Sequence, residues 1–350
     1  MRSHIKKIIS AVLICAVLCS FASCLKEKKK KFTDYSFDYF DTAATIVGYE
    51  YSEEDFKEVC KEIKAKLERY HKLFNIYDSF KGIDNLKTLN EKREIKADAD
   101  IIELLKYCKE IYSITQGKTN IALGSVLSIW HKYRSEGEKN PAKAALPPME
   151  ELKSAILNTD IDAIQIDEQN AIVKIADPKV LIDVGAIAKG YAVEKVGQWL
   201  KQSGHTDYLL NVGGNVKSVG KRADGKAWSV GIENPQTEKQ SEIPYIAYLK
   251  MENKSLVTSG SYQRYYIVNG QRYHHIIDPE TLMPSDYFLS VSVLCQNSAL
   301  GDALSTALFS MPQKDGEALI SSLNGVEAMW VLKDGTKIFS KGFNDFTFEP

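Results

Sequence analysis

A chain of 350 residues with 44% hydrophobic content can bury one large core or two tightly joined ones. Acidic and basic residues nearly cancel to a net charge of −1, and no basic stripe interleaves with aromatics, which argues against a nucleic-acid partner. Two of the six cysteines, Cys15 and Cys19, lie in an N-terminal apolar run, while Cys60, Cys108 and Cys295 are scattered in apolar or helical stretches. This spacing gives neither a disulfide framework nor a zinc ligand set, and buried thiols are expected.

In chain order, Arg2, Lys6 and Lys7 precede an apolar run from Ile8 to Leu18, too short for a comfortable bilayer span, then small residues and Cys24. This is the pattern of an export signal over residues 1–23. Its end, FASC, resembles a bacterial lipobox with Phe21 in place of the usual leucine, which makes Cys24 the expected lipidation site. The expected location is therefore the periplasmic or outer face of a bacterial membrane, held by the lipid anchor. Residues 24–33 read as a lysine-rich tether suited to anionic lipid, and 34–350 as a single domain.

Within that domain, YFDTAATIVGYEY (39–51) alternates with β-rich residues and predicts a strand. Ser52 with Asp55 has the form of a capping box, opening a helix with the stripe Phe56, Val59, Cys60, Ile63, Leu67 and Tyr70. Another helix is predicted after Asp98, using Leu104, Leu105, Cys108, Ile111 and Tyr112 and stopping near Gly117. RSEGEKNPAKAALPP (134–148) reads as a polar loop and an internal boundary, with strands near 162–167 and 171–176. LIDVGAIAKGYAVEKVGQWLKQSG (181–204) runs from a buried strand end into a helix with Ala188, Ala192, Val196, Trp199 and Leu200 on one face. YLLNVGGNVKSVG, the Asp224–Gly225 turn and AWSVGIE together predict a hairpin. Strands follow at 245–250, 255–258, 264–268 and 289–294, then a helix from about Ser298. Hairpins mixed with helices give an α+β class.

Four stretches bear on chemistry. GGNVKSVGKR has five residues between Gly214 and Gly220 where a P-loop has four, and Arg222 stands where Mg²⁺ chemistry needs Ser or Thr. Its glycines fit tight backbone turns beside a strand. In SALGDALSTALFSM (298–311), Leu300, Leu304, Leu308 and Met311 share one helix face, and Asp302 and Thr306 the opposite one. A carboxylate one turn before a hydroxyl suits a hard cation such as Mg²⁺; the same spacing also describes a solvated polar face. DVGAIAKGY places Asp183 before a helix start and Lys189 in its first turns, a plausible anion site and equally an ordinary acidic helix start. The histidines of HHIIDPETLMP (274–284) flank a strand end, so their rings should point to opposite faces, which argues against one shared metal.

Taken in order, FDT (40–42), IYDS (76–79), DVGAIAKGYAVEKV, NVGGN (211–215), TSGSYQRYY (258–266), HHIIDPETLMP and DALSTAL (302–308) resemble the ApbE family of FAD:protein FMN transferases. The resemblance implies a T-fold-related α+β architecture with FAD, the substrate, in a cleft between two lobes. It also implies Mg²⁺-dependent transfer of FMN to a threonine or serine hydroxyl with release of AMP. Acceptors implied by the family are flavoprotein subunits of the sodium-pumping NADH:quinone oxidoreductase or the Rnf complex. Hydrolysis of FAD to FMN and AMP, or flavin storage without catalysis, are the alternatives.

Carried over residue by residue, the resemblance implies Asp302, Thr306 and the Ala186 carbonyl as Mg²⁺ ligands. It implies flavin or FAD contacts at Phe40, Tyr77, Lys118, Thr119, Asn120, Asp183, Lys189 and Ile277. Phe40 stands where the family has methionine, and Asn120, Ala122 and Ser125 depart from its Asp, Thr and Pro. His275 is the candidate for accepting the acceptor hydroxyl's proton, expected with an ordinary imidazole pKa near ~6.5. Asp302 is the second residue on which catalysis is expected to rest.

Overall fold

The computed structural model describes residues 28–236, 244–262 and 264–349; Cys24 and the signal lie outside them. A long hairpin opens the described chain. β1 (Lys30–Tyr39) pairs antiparallel with β2 (Thr42–Glu50). Phe40 and Asp41 form its two-residue turn with φ of 53° and 52°, the left-handed conformation such turns need. The lysine-rich span read as a tether to residue 33 therefore gives its last residues to a strand.

Ser52 caps α1 (Glu53–Phe74) by accepting the Asp55 N–H at 3.0 Å, and the whole expected stripe is buried. α2 (Leu86–Lys92), β3 (Glu94–Lys96) and α3 (Ala99–Ile114) follow, the last capped by Asp98. α4 (Gly124–Lys139) takes in the first six residues of the stretch expected as loop. Pro141, without an N–H, ends it. Gly137 there is a packing position and not a break, because an added Cβ would lie 2.7 Å from the Tyr266 ring. The stretch is packed against the rest of the chain: Tyr266 donates to the Ala145 carbonyl, and one apolar cluster joins Trp130, Leu152, Tyr266 and Leu282.

After α5 (Met149–Ile156), β4 (Ile164–Asp167) and β5 (Ile172–Ile175) join β3 in a small sheet ordered β3-β5-β4. α6 (Ala188–Gln202) buries Ala188, Ala192, Val196 and Leu200, with Gly204 beyond its end at φ 84°. β6 (Asp207–Val212) and β7 (Asn215–Gly220) then pair through the Gly213–Gly214 turn. β8 (Trp228–Glu233) does not pair back onto β7, as the sequence led us to expect. It pairs with β9 (Tyr245–Met251), while β7 is taken by β10 (Ser255–Gly260). The remaining elements are β11 (Tyr265–Val268), β12 (Gln271–His274), β13 (Ser290–Cys295), α7 (Ser298–Phe309), α8 (Gln313–Ser322), β14 (Glu327–Val331) and β15 (Lys337–Phe339).

One eight-stranded sheet, ordered β1-β2-β6-β7-β10-β13-β14-β15, organises the molecule. α1, α6 and α7 cover one face and the β8–β9 hairpin packs on the other. Central strands covered on both sides lose apolar–polar alternation, and all six residues of β13 are buried. Cys60, Cys108 and Cys295 are free buried thiols, as expected. No helix among the described residues is long and apolar enough to cross a membrane.

Candidate active site

A cavity of about 550 Å³ opens where the β1–β2 turn, the end of α1, the start of α4, the 183–189 segment, β10 and α7 converge. Every expected contact residue among those described lines it: Phe40, Tyr77, Lys118, Thr119, Asn120, Asp183, Ala186, Lys189, His275, Ile277, Asp302 and Thr306. Residues separated by up to 266 positions meet there because α7 lies directly on α6 and both lie on the large sheet.

Asp302 lines the cavity where α7 meets the start of α6. Its side chain is buried, so the solvated-face reading of α7 fails. Oδ2 accepts the Gly190 N–H at 2.7 Å, capping the third residue of α6 from a neighbouring helix, and Oδ1 lies 3.3 Å from both Lys189 Nζ and Asn215 Nδ2. α6 has no side-chain cap of its own, so its positive end faces this carboxylate and the cavity. Gly190 is obligatory, because a Cβ there would come within 2.4 Å of Asp302 Cβ and the Ser298 carbonyl. Lys189, expected as an anion contact, is paired with Asp302 and is half-buried.

A cation at this point fits the residues present. Asp302, the Thr306 hydroxyl one turn later and the Ala186 carbonyl could offer oxygen only, the chemistry Mg²⁺ prefers, and so few protein ligands would leave room for further oxygen ligands. Among the described residues no group of three or more His, Cys, Asp or Glu side chains could hold a metal ion. A cation here therefore depends on the mixed side-chain and backbone set.

The two histidines separate as expected. His274 is buried against Phe309, with Nε2 donating to the Ser285 carbonyl at 2.7 Å and Nδ1 accepting the Ile276 N–H at 3.2 Å. His275 faces the cavity. Its Nδ1 lies 3.2 Å from the Arg264 carbonyl, which can only accept, so Nδ1 carries the proton and Nε2 the lone pair. Its titration is not ordinary. Burial, with Arg134 and Arg264 nearby, pushes its pKa down to about 3, so the ring is neutral at physiological pH. Asp183 moves the other way, raised by burial against the stabilising Gly185 N–H.

Several expected contacts also hold the protein together. Lys118 pairs with buried Asp278 at 3.1 Å and with Glu280 at 2.9 Å, which straps the HHIIDP turn to the end of α3. Thr119 donates to the Ala303 carbonyl at 2.8 Å, and Asn120 donates to Thr159 while accepting from Ala122. Ile277 is buried in a bridge to Pro284. Tyr77 is half exposed and stacks on His131 at 5.0 Å.

Sequence reasoning missed His71, His131, Arg134, Arg264 and Asn215. His71 Nδ1 accepts the Phe40 N–H at 3.1 Å, and Arg264 donates to the Phe40 and Asp41 carbonyls at 3.4 and 3.2 Å; together they fix the hairpin tip at the cavity wall. Arg264 and Asn215 stood inside quoted motifs, TSGSYQRYY and NVGGN. The others are single residues on helices, with no local signal to mark them.

The ApbE family model matches residues 40–330. A FAD:protein FMN transferase of Haemophilus influenzae is 28% identical over 349 residues, 97% of each chain. One of Chlamydia muridarum is 30% identical over 279 residues, 78% of this chain and 82% of its own. The ApbE protein of Thermotoga maritima superposes with a TM-score of 0.78 at 27% identity, covering 91% of this chain and 100% of its own. The flavin transferase ApbE of Vibrio cholerae, at 23% identity and a TM-score of 0.74 over 91% of this chain and 99% of its own, shares the fold. With a family match that spans the chain from the hairpin tip at Phe40 to Trp330 and takes in the whole cavity, this chain belongs to the ApbE family.

Proposed function

We propose that this chain transfers FMN from FAD to a threonine or serine hydroxyl of a partner flavoprotein and releases AMP. The observation that carries the reading is the meeting, in one cavity, of the oxygen-bearing residues Asp302, Thr306 and Ala186 with a lysine and a neutral histidine that keeps a free lone pair. Relatives named FAD:protein FMN transferase along nearly the whole chain support it.

In the proposed step the acceptor oxygen attacks the phosphorus on the riboflavin side of the pyrophosphate. The bridging P–O bond breaks, AMP leaves with that oxygen, and the hydroxyl proton passes to His275 Nε2. Phosphoryl transfer needs positioning and charge neutralisation more than covalent help from protein. Asp302, Thr306 and the Ala186 carbonyl would hold Mg²⁺, which when bound supplies neutralisation of the pyrophosphate charge. Lys189 and the N-terminal end of α6 add positive potential on the same side. His275 with a pKa of about 3 is a weak base in the free protein. A bound pyrophosphate would counter Arg134 and Arg264 and raise its basicity. Phe40, Tyr77 and Ile277 offer the apolar and aromatic surface that an isoalloxazine ring needs.

Flavin-binding subunits of sodium-pumping NADH:quinone oxidoreductase or Rnf type are the proposed acceptors, met at a membrane to which Cys24 anchors the enzyme. The test is incubation with FAD and Mg²⁺, with and without a threonine-bearing acceptor domain, following AMP and protein-bound flavin. Water in place of the acceptor would make the same site an FAD pyrophosphatase. AMP release that never labels an acceptor would favour that activity, and flavin binding without any turnover would favour storage.

A further inference from the structure

Asp302 is held from three directions, and one of them has a structure behind it. β7 presents Asn215 and Lys217, two residues apart and so on one face of the strand, toward α6 and α7. Asn215 is fully buried and directs Nδ2 to Asp302 Oδ1 at 3.3 Å. Its other end, Oδ1, is buried without a hydrogen-bond partner among the described residues. Turning the amide over would set that oxygen against the Asp302 carboxylate, so the contact to Asp302 fixes the orientation.

Lys217 makes the second rung. Its Nζ lies 2.9 Å from Glu194 Oε2 and 3.0 Å from the Gln296 carbonyl, and both members of the pair are buried. Glu194 Oε2 also accepts the Ser298 N–H at 2.8 Å, the first residue of α7. Glu194 follows Gly190 by four residues on α6, and Ser298 precedes Asp302 by four on α7. The rungs thus lie one helical turn apart, and each ties α6, α7 and β7 together. α6 rides close over this strand, since a Cβ on Gly197 would come 2.5 Å from Lys217 Cε.

We infer that Asn215 is a positioning residue for the Asp302 carboxylate, and that the buried Glu194–Lys217 pair sets the register of α7 in which that carboxylate is presented. The inference rests on the reading of Asp302 as a cation ligand. Oδ2 is committed to the short bond from Gly190, while Oδ1 has only long contacts and is the oxygen left to meet a cation. Removing the Asn215 donor frees the carboxylate to rotate about a single bond; removing the ion pair lets α7 slide as a whole. Partners that orient a metal ligand commonly change metal affinity or activity by about 10–100-fold.

The test measures Mn²⁺ binding to the whole chain by electron paramagnetic resonance of the free ion, with FAD binding followed by flavin fluorescence. Asn215→Leu should weaken Mn²⁺ binding by about 10-fold or more and leave FAD affinity within a few-fold. The Mg²⁺ concentration for half-maximal turnover should rise in parallel, with the rate at saturating Mg²⁺ largely restored. An Asn215→Leu protein that binds Mn²⁺ as the wild type does overturns the inference, even if its melting temperature falls. Should Asn215→Leu fail to fold, Glu194→Gln decides: a Mn²⁺ affinity shifted at least about threefold supports the register role, and an unchanged one removes it. A wild-type chain that binds Mn²⁺ through Asp302 yet never cleaves FAD defeats the transferase reading and leaves this inference standing.

Discussion

His275 shows how far a single side chain can depart from its type. An exposed imidazole titrates near 6.5; this one is held near 3 by burial and by Arg134 and Arg264. Because the unfolded chain binds that proton more readily, the contribution of His275 to stability is complete above pH 6.5 and is lost progressively as pH falls toward 3. Urea midpoints should therefore fall between about pH 6.5 and 4 in the wild type and fall less in His275→Gln. Equal slopes in the two proteins would show that His275 titrates normally. His274 and His131, also lowered by burial, keep the variant's slope from vanishing.

Asp302 combines two duties at the same scale. It caps α6 at Gly190, and by our proposal it binds the cation. Loss of a cap costs about 1 kcal/mol, which a saturating ligand can offset. Loss of the charged ligand removes stabilisation of charge that grows in the transition state. Asp302→Ala should thus keep part of its FAD affinity while turnover falls about 10²-fold or more, measured as AMP released per minute. Near-normal Mg²⁺-dependent turnover would leave Asp302 a cap and nothing else.

Among elements, those with local punctuation were legible. Ser52 opened α1, Asp98 opened α3, and the apolar stripes of both lie inside, with Tyr112 of α3 only partly buried. α7 was legible as a helix with its polar pair in register, but its burial was not, because only α6 and the sheet decide which face sees solvent. β1 escaped notice: KKFTDYSFDY sends Phe32 toward α1 while Tyr35 and Phe37 stay exposed, so its two faces do not differ enough to signal a strand. The partner of β8 escaped for another reason. Pairing with β9 across residues 234–244 is a long-range choice that the Asp224–Gly225 turn does not encode. The site divides in the same way. Contact residues were placed by resemblance, whereas the residues that hold them act through long-range contacts: His71 has no local signal, and the motifs around Arg264 and Asn215 do not say what those two side chains touch. Gly190 offers the test at this scale. Gly190→Ala introduces a Cβ 2.4 Å from Asp302 Cβ and the Ser298 carbonyl, so α6 and α7 must part. Overpacking of this kind costs about 1–3 kcal/mol, and the prediction is a lower urea midpoint together with lost turnover. A variant as stable and active as the wild type would mean that the two helices pack less tightly than described.

For the molecule as a whole, the large sheet is the platform and the cavity is its by-product: helices on one face, the hairpin tip, and Arg264 with the 275–277 turn leave a space of about 550 Å³. Where this platform works is a separate proposal, since Cys24 lies outside the described residues. If Cys24 carries the anchor, Cys24→Ser should move the mature chain from the membrane to the soluble fraction on cell fractionation. Retention at the membrane would exclude the lipid as the anchor. Transfer and hydrolysis part company in a single assay. Purified protein, FAD and Mg²⁺ are mixed with an acceptor domain that carries a single target threonine, and AMP and covalent flavin are counted together. One flavin bound through a phosphoester is expected for each AMP released, and none on a threonine-to-valine acceptor. AMP released in full with no flavin on the acceptor would make the protein a hydrolase and overturn the transferase reading.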